Sequence, residues 1–126
     1  MAKFLIDTDV IIWFLRGRKE TVELIKKFQE TTLPTCLPIS IVEVLSGVKK
    51  GEEEITFEFL NSLEIISIDK IIAIKAGNLL REYRKRGITL GINDTIIGAT
   101  CLVNDLILVT YNPKHYPFKN LKIYSI

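Results

Sequence analysis

A chain of 126 residues, 48% hydrophobic and 25% charged, is the size of one domain around one core, and its composition excludes disordered and fibrous classes. Seventeen Lys and Arg against fifteen Asp and Glu leave a formal charge of +2, too mild either to announce or to exclude a nucleic-acid surface. One histidine, His115, and two cysteines, Cys36 and Cys101, outside any CxxC pair leave zinc chemistry almost without ligands. Both cysteines stand in apolar contexts and are expected to be buried thiols in a reducing compartment. The opening MAKFLIDTDV reaches Asp7 after three apolar residues and does not read as a signal peptide, and no apolar run approaches the ~18 residues that span a bilayer. A cytoplasmic protein is expected.

In chain order, Phe4-Leu5-Ile6 reads as a short buried strand stopped at Asp7. Thr8 to Arg16 is a predicted helix ended by Gly17, and Glu20 to Glu30 a second, with Val22, Ile25 and Phe28 at three-residue spacing. Thr35-Cys36-Leu37 is a brief strand stopped by Pro38, and Ser40 to Lys50 a helix closed by Gly51. Glu52 to Leu63 fits both periods; its length favours a helix. The β-branched run Glu64 to Ile68 is a strand. Asp69 to Arg86 is the clearest helix, with Ile72, Ala76, Leu79 and Tyr83 as its apolar stripe, Asp69 as N-cap and Gly87 as stop. Asp94 to Asn104 is a further helix, and Ile107 to Thr110 and Leu121 to Tyr124 are strands.

Strands separated by helices predict an α/β fold: a single three-layer α/β/α domain over residues 1–126, with a short parallel sheet of about five strands. Ligands of such sheets bind beyond the carboxyl ends of the strands. Asp7 ends the first strand, Glu43 lies early in the helix after the second, Asp94 opens the helix before the fourth, and Thr110 and Asn112 stand at and just after the end of that strand. Each acid has an ordinary reading. Asp7 or Asp9 can cap the first helix, Ser40-Ile41-Val42-Glu43 fits the capping box, and Asp94 can be an N-cap. Jointly they say more, because three carboxylates at one concavity repel one another unless a divalent cation, bound by hard oxygen ligands, removes the repulsion.

The order Asp7, Glu43, Asp94 and the words around it resemble a PIN domain, and among those a VapC-type ribonuclease toxin. The matching pieces are LIDTDVII, the S-x-x-E-V-L-S-G-V of Ser40 to Val48, the N-D-T-I-I-G-A of Asn93 to Ala99, and the L-V-T-Y-N-P-K-H-Y before the last strand. The resemblance implies a PIN-like fold and makes Asp7, Glu43 and Asp94 the acidic, metal-binding site. The fourth acidic position falls at Asn112, whose amide can ligate through its carbonyl oxygen or orient a water but brings no charge. It also implies an RNA substrate, a small antitoxin whose tail covers the acidic pocket, and a homodimer.

Hydrolysis of a phosphodiester needs an activated water and charge relief, and a lone histidine cannot supply a two-histidine acid–base route. Bound Mg²⁺ or Mn²⁺ can, with Asp7 and Asp94 as direct ligands and Glu43 holding a water or acting as base. Asp9 reads as a cap or a water-mediated ligand, Thr110 as a strand end able to hold the site's edge, and His115 with Tyr116 and Phe118 as a packed corner outside the site. Trp13 reads as core or subunit interface rather than a base-stacking platform. The clusters Arg81, Arg84, Lys85, Arg86 and Arg16, Arg18, Lys19 suit either solvated helix ends or phosphate contacts. Two rivals remain. DTDV after a strand also resembles haloacid-dehalogenase-type phosphatases, with Asp7 as nucleophile, Asp9 as acid/base and Lys70 a conceivable lysine, but the later acidic pair is missing. The second is a degenerate domain that binds RNA or a partner protein, suggested by Asn112.

Overall fold

The computed structural model describes residues 3–126. In chain order the elements are β1 (Phe4–Ile6), α1 (Thr8–Leu15), α2 (Lys19–Gln29), β2 (Thr35–Cys36), α3 (Pro38–Ser46), α4 (Glu53–Asn61), β3 (Glu64–Ile65), α5 (Lys70–Lys85), α6 (Ile92–Asn104), β4 (Ile107–Thr110), a 3₁₀ turn (Pro113–His115) and β5 (Lys122–Ser125). The five strands form one sheet in the order β3-β2-β1-β4-β5, and every pairing is parallel. The expected three-layer α/β/α class is the class observed.

Alternation along the strands divides the core in two. Leu5 and Leu108 face one side of the sheet with Ile72, Ala76, Leu79 and Tyr83 of α5 and Ile97 and Cys101 of α6. Ile6 and Val109 face the other, with Val10 and Ile11 of α1, Ile25 and Phe28 of α2, Val44 of α3 and Phe59 and Leu60 of α4. Burial on both faces explains why the strands read as continuous apolar runs. Both cysteines are free and buried; burial pushes the Cys36 thiol up to about 11 and the Cys101 thiol up to about 12, so both are packing groups. Among the described residues no helix is long and apolar enough to cross a membrane.

Several element boundaries differ from the sequence expectation. Helix α3 begins at Pro38, with Leu37 as N-cap, two residues before the expected Ser40. Proline pre-sets helical φ and donates no N–H, so it starts this helix rather than merely ending the strand before it. The helix closes at Gly47, so Gly51 belongs to the following turn, at φ 92°. Helix α6 starts at Ile92 with Gly91 as N-cap, leaving Asp94 inside the first turn. The run Glu64 to Ile68 pairs only over Glu64–Ile65, both exposed, because β3 is an edge strand. Strand β5 is shifted one residue, to Lys122–Ser125. The ambiguous segment is a helix, α4, as its length suggested.

Order β3-β2-β1-β4-β5 reverses direction between β1 and β4, which places a crevice at their carboxyl ends. Closing that crevice from behind requires close packing of α6. A Cβ on Gly98 would stand 2.6 Å from the Phe118 ring, whereas Gly77, in exposed α5 surface, has nothing within 4 Å. Gly98→Ala is therefore expected to destabilise the fold by about 1–3 kcal/mol through overpacking. Gly77→Ala should stabilise it by roughly 0.5–1 kcal/mol through helix propensity. Urea unfolding of both variants measures the pair; equal effects would contradict this packing.

Candidate active site

Asp7 is the first residue past β1 and the N-cap of α1, with its Oδ1 accepting from the Thr8 amide at 2.8 Å. Its Oδ2 accepts from the Thr110 hydroxyl at 2.9 Å and from the Tyr116 hydroxyl at 2.7 Å. The carboxylate is buried, and the polar groups that hold it come from β4 and the segment after it.

Tyr116 joins Asp7 to Asp94. Its hydroxyl lies 3.3 Å from Asp94 Oδ1 as well, and burial together with the Asp7 charge keeps the phenol protonated far above the ordinary tyrosine range. It is therefore a permanent donor between two acids. Burial, then the Asp7 charge, raises the Asp94 carboxyl above its ordinary 3.8. The Asp94 Oδ2 faces His115 Nδ1 at 3.6 Å.

On the opposite flank stands Glu43. The expected capping box does not form, because Ser40 lies inside α3 rather than at its N-cap. Instead, Glu43 Oε1 accepts from the Thr8 hydroxyl at 2.9 Å, and that hydroxyl is 3.0 Å from the buried Ser40 Oγ. Thr8 thus links two acids, its amide to Asp7 and its hydroxyl to Glu43.

Asn112 is exposed and its Nδ2 donates to Asp9 Oδ2 at 2.7 Å; the Tyr111 amide donates to the same oxygen at 3.2 Å. The amide therefore meets Asp9, rather than Asp7 or Asp94. Asp9 Oδ1 is buried without a hydrogen-bond partner. Burial and the Asp7 charge push the Asp9 carboxyl up to about 6, against the donors that favour its ionised form.

Asp7, Asp94, Asp9 and Glu43 are all hard oxygen donors, two of them with ionisation penalised by burial and then by the Asp7 charge, and one with an orphaned buried oxygen. A divalent cation matches that donor set. Among the described residues no three acids stand close enough to form a ready-made cage. The residues present therefore fit a largely hydrated cation held through one or two carboxylates, the habit of Mg²⁺.

Sequence reasoning placed Asp7, Glu43, Asp94 and Asn112 at one edge of the sheet; Thr8 links Asp7 to Glu43, Tyr116 links Asp7 to Asp94, and Asn112 meets Asp9 instead. It missed Thr8 and Tyr116 and set His115 outside. The signal for Thr8 was its place directly after a strand-end acid; Tyr116 offered none, since a buried tyrosine ordinarily packs a core.

Asp94 has a folded-state pKa above its unfolded value, so folding takes up a proton and stability falls as pH rises through that window. At pH 7 its charge is a standing cost. Asp94→Asn should raise the Tm of the metal-free protein at pH 7 by a few degrees, and the gain should vanish at pH 3, where both forms are neutral. A lowered Tm at pH 7, measured by circular dichroism, would contradict the repulsion described here.

Comparison with known proteins agrees with this geometry. The PIN domain family model matches residues 4–122. Ribonuclease VapC10 of Mycobacterium tuberculosis is 31% identical over 119 residues, covering 94% of this chain and 90% of the relative. A toxin-antitoxin complex from Klebsiella pneumoniae contains a chain that is 29% identical, with a TM-score of 0.80 over 100% of both chains. VapBC2 from Rickettsia felis, bound to a fragment of promoter DNA, superposes with a TM-score of 0.86 at 22% identity, covering 98% of each chain. A strand-end aspartate at the switch point, a second and third acid on the flanking helices and a match along nearly the whole chain lead to one assignment: the chain belongs to the PIN domain family.

Proposed function

We propose that this protein is a divalent-metal-dependent endoribonuclease, the toxin of a type II toxin–antitoxin pair. It acts on RNA in the cytoplasm as a homodimer and is silenced by a small antitoxin. The observation that carries the reading is the gathering of oxygen-only acids around Asp7 at the β1–β4 switch point, in a chain whose relatives are named VapC ribonucleases. Binding by PIN-family relatives to antitoxins supports the partner.

Asp7 and Asp94 would hold the cation, and Glu43 would complete the acidic set. Bound Mg²⁺ or Mn²⁺ supplies charge relief on the phosphate and eases loss of a proton from water at the site. Asp7 is oriented by Thr8, Thr110 and Tyr116. Glu43, fixed through Oε1 by Thr8, keeps its second oxygen for the attacking water and takes its proton. Tyr116 acts as a positioning residue, setting the separation of Asp7 and Asp94. Asn112 holds Asp9 rather than adding a fourth charge, so Asp9 is the reserve acid of the site. The helix N-termini of α1 and α6 face the same edge and favour both the acids and an incoming phosphate.

Water as the nucleophile leaves the ribose 2′-OH uninvolved. A short RNA cut by the purified protein in Mg²⁺ should carry 5′-phosphate and 3′-hydroxyl ends, and EDTA should abolish cleavage. Asp94→Asn, folded and more stable without metal, should lose at least a hundredfold in rate, of the order typical for a removed group that stabilises transition-state charge. A 2′,3′-cyclic phosphate formed in EDTA, or an Asp94→Asn variant cutting at the parent rate, would overturn the reading.

A further inference from the structure

Trp13, Arg18 and Tyr111 form a layer beside the acidic crevice, where α1 turns into α2. The Arg18 guanidinium carbon lies 4.3 Å from the centre of the Trp13 ring and 5.0 Å from that of Tyr111. Arg16 adds a second guanidinium 5.4 Å from Trp13. Several bonds fix the layer. The Arg18 amide donates to the Trp13 carbonyl at 3.0 Å, Arg18 Nε pairs with Glu20 at 3.1 Å, and the Tyr111 hydroxyl is hydrogen-bonded to Thr21.

Trp13 does not do what a core tryptophan does. Its neighbours Ile12 and Phe14 pack against the core on the α1–α4 side of the sheet, and Trp13 joins neither core cluster. All three side chains of the layer are partly accessible. The layer is also continuous with the site. Thr110 donates to Asp7, the next residue, Tyr111, donates its amide to Asp9, and Asn112 holds the same Asp9 oxygen.

A strand cut at the crevice must lead its flanking nucleotides over the adjoining surface. Unstacked RNA bases are recognised by stacking on aromatic rings and arginine planes. A guanidinium over an indole offers a flat apolar face and a positive charge together, the two complements of a nucleotide. The ion pair with Glu20 uses Nε, which leaves the terminal amino groups of Arg18 for a phosphate oxygen.

We propose that Trp13, Arg18 and Tyr111 form a nucleobase platform that receives an unpaired base flanking the scissile phosphate and so sets which RNA sequences are cut. The proposal rests on the ribonuclease reading above. It takes Trp13 differently from the sequence expectation, which was core or subunit interface rather than a base-stacking platform.

Trp13 is the only tryptophan in the chain, so intrinsic emission reports on it alone. Full-length protein in EDTA at low salt is titrated with a short unstructured RNA, while anisotropy of the labelled RNA follows binding independently. Emission should be quenched in step with binding, and an abasic site at one position of the RNA should remove the quench. Trp13→Ala and Arg18→Ala should each weaken binding about tenfold. In Mg²⁺ both should change the set of bonds cut, and Trp13→Phe should restore the parent pattern. Should Trp13→Ala fail to fold, Arg18→Ala and the abasic RNA carry the test. RNA that binds without quenching overturns the platform and leaves the nuclease reading intact, as do variants that cut the same bonds at the parent rate. Emission that follows protein concentration rather than RNA also overturns it, and assigns Trp13 to contact with a second copy. A parent protein that neither binds nor cuts RNA overturns both readings at once.

Discussion

Three hydroxyl and amide donors converge on the carboxylate of Asp7 at the end of β1. One comes from α1, one from β4 and one from the segment leading to β5, so a single side chain ties the two central strands to the chain on both sides. Burial, with the same charge added to it, penalises ionisation of Asp9 and Asp94 and keeps Tyr116 protonated. Asp7 is the clamp of the switch point, and its charge adds to a penalty that burial already places on its neighbours. A buried carboxylate with this many donors is a structural asset. A buried carboxylate with two further acids around it is a cost that folding alone does not explain.

That division between asset and cost orders the rest of the site. Thr8 spends its amide on Asp7 and its hydroxyl on Glu43, so the first residue of α1 sets the spacing of acids from β1 and α3. Tyr116 does the same for β1 and α6. Both are neutral donors that cannot discharge the site, and both fix its geometry before any cation arrives. Packing beneath is tight where that geometry needs it: Gly98 of α6 leaves room for the Phe118 ring two residues beyond Tyr116.

Much of this was legible in the sequence. Short apolar runs ending in polar residues gave the five strands, and the helical stripe of α5 was read residue for residue, with Asp69 capping it through the Ile72 amide. Asp7, Glu43 and Asp94 could be placed at one edge because strand ends and helix starts are local features. What escaped was set by contacts distant in sequence. Ser40 and Glu43 satisfied the letters of a capping box, but Pro38 two residues earlier took the start of the helix and left Glu43 to Thr8. Asn112 was read as a substitute for an acid at the centre, and its partner, Asp9, lies 103 residues away in the chain. Tyr116 packs in the core with Phe118 as expected, yet its hydroxyl reaches Asp7 and Asp94: periodicity and composition mark an aromatic residue as apolar and cannot tell which atoms it leaves for polar work.

We propose that the acids around Asp7 are assembled for a divalent cation. Calorimetric titration of the metal-free protein with Mn²⁺ tests it most directly, run beside Asp7→Asn and Asp94→Asn with the fold of each checked by circular dichroism. Saturable binding by the parent protein is expected, weakened at least tenfold in both folded variants. Equal binding by all three, or none by the parent, would contradict it.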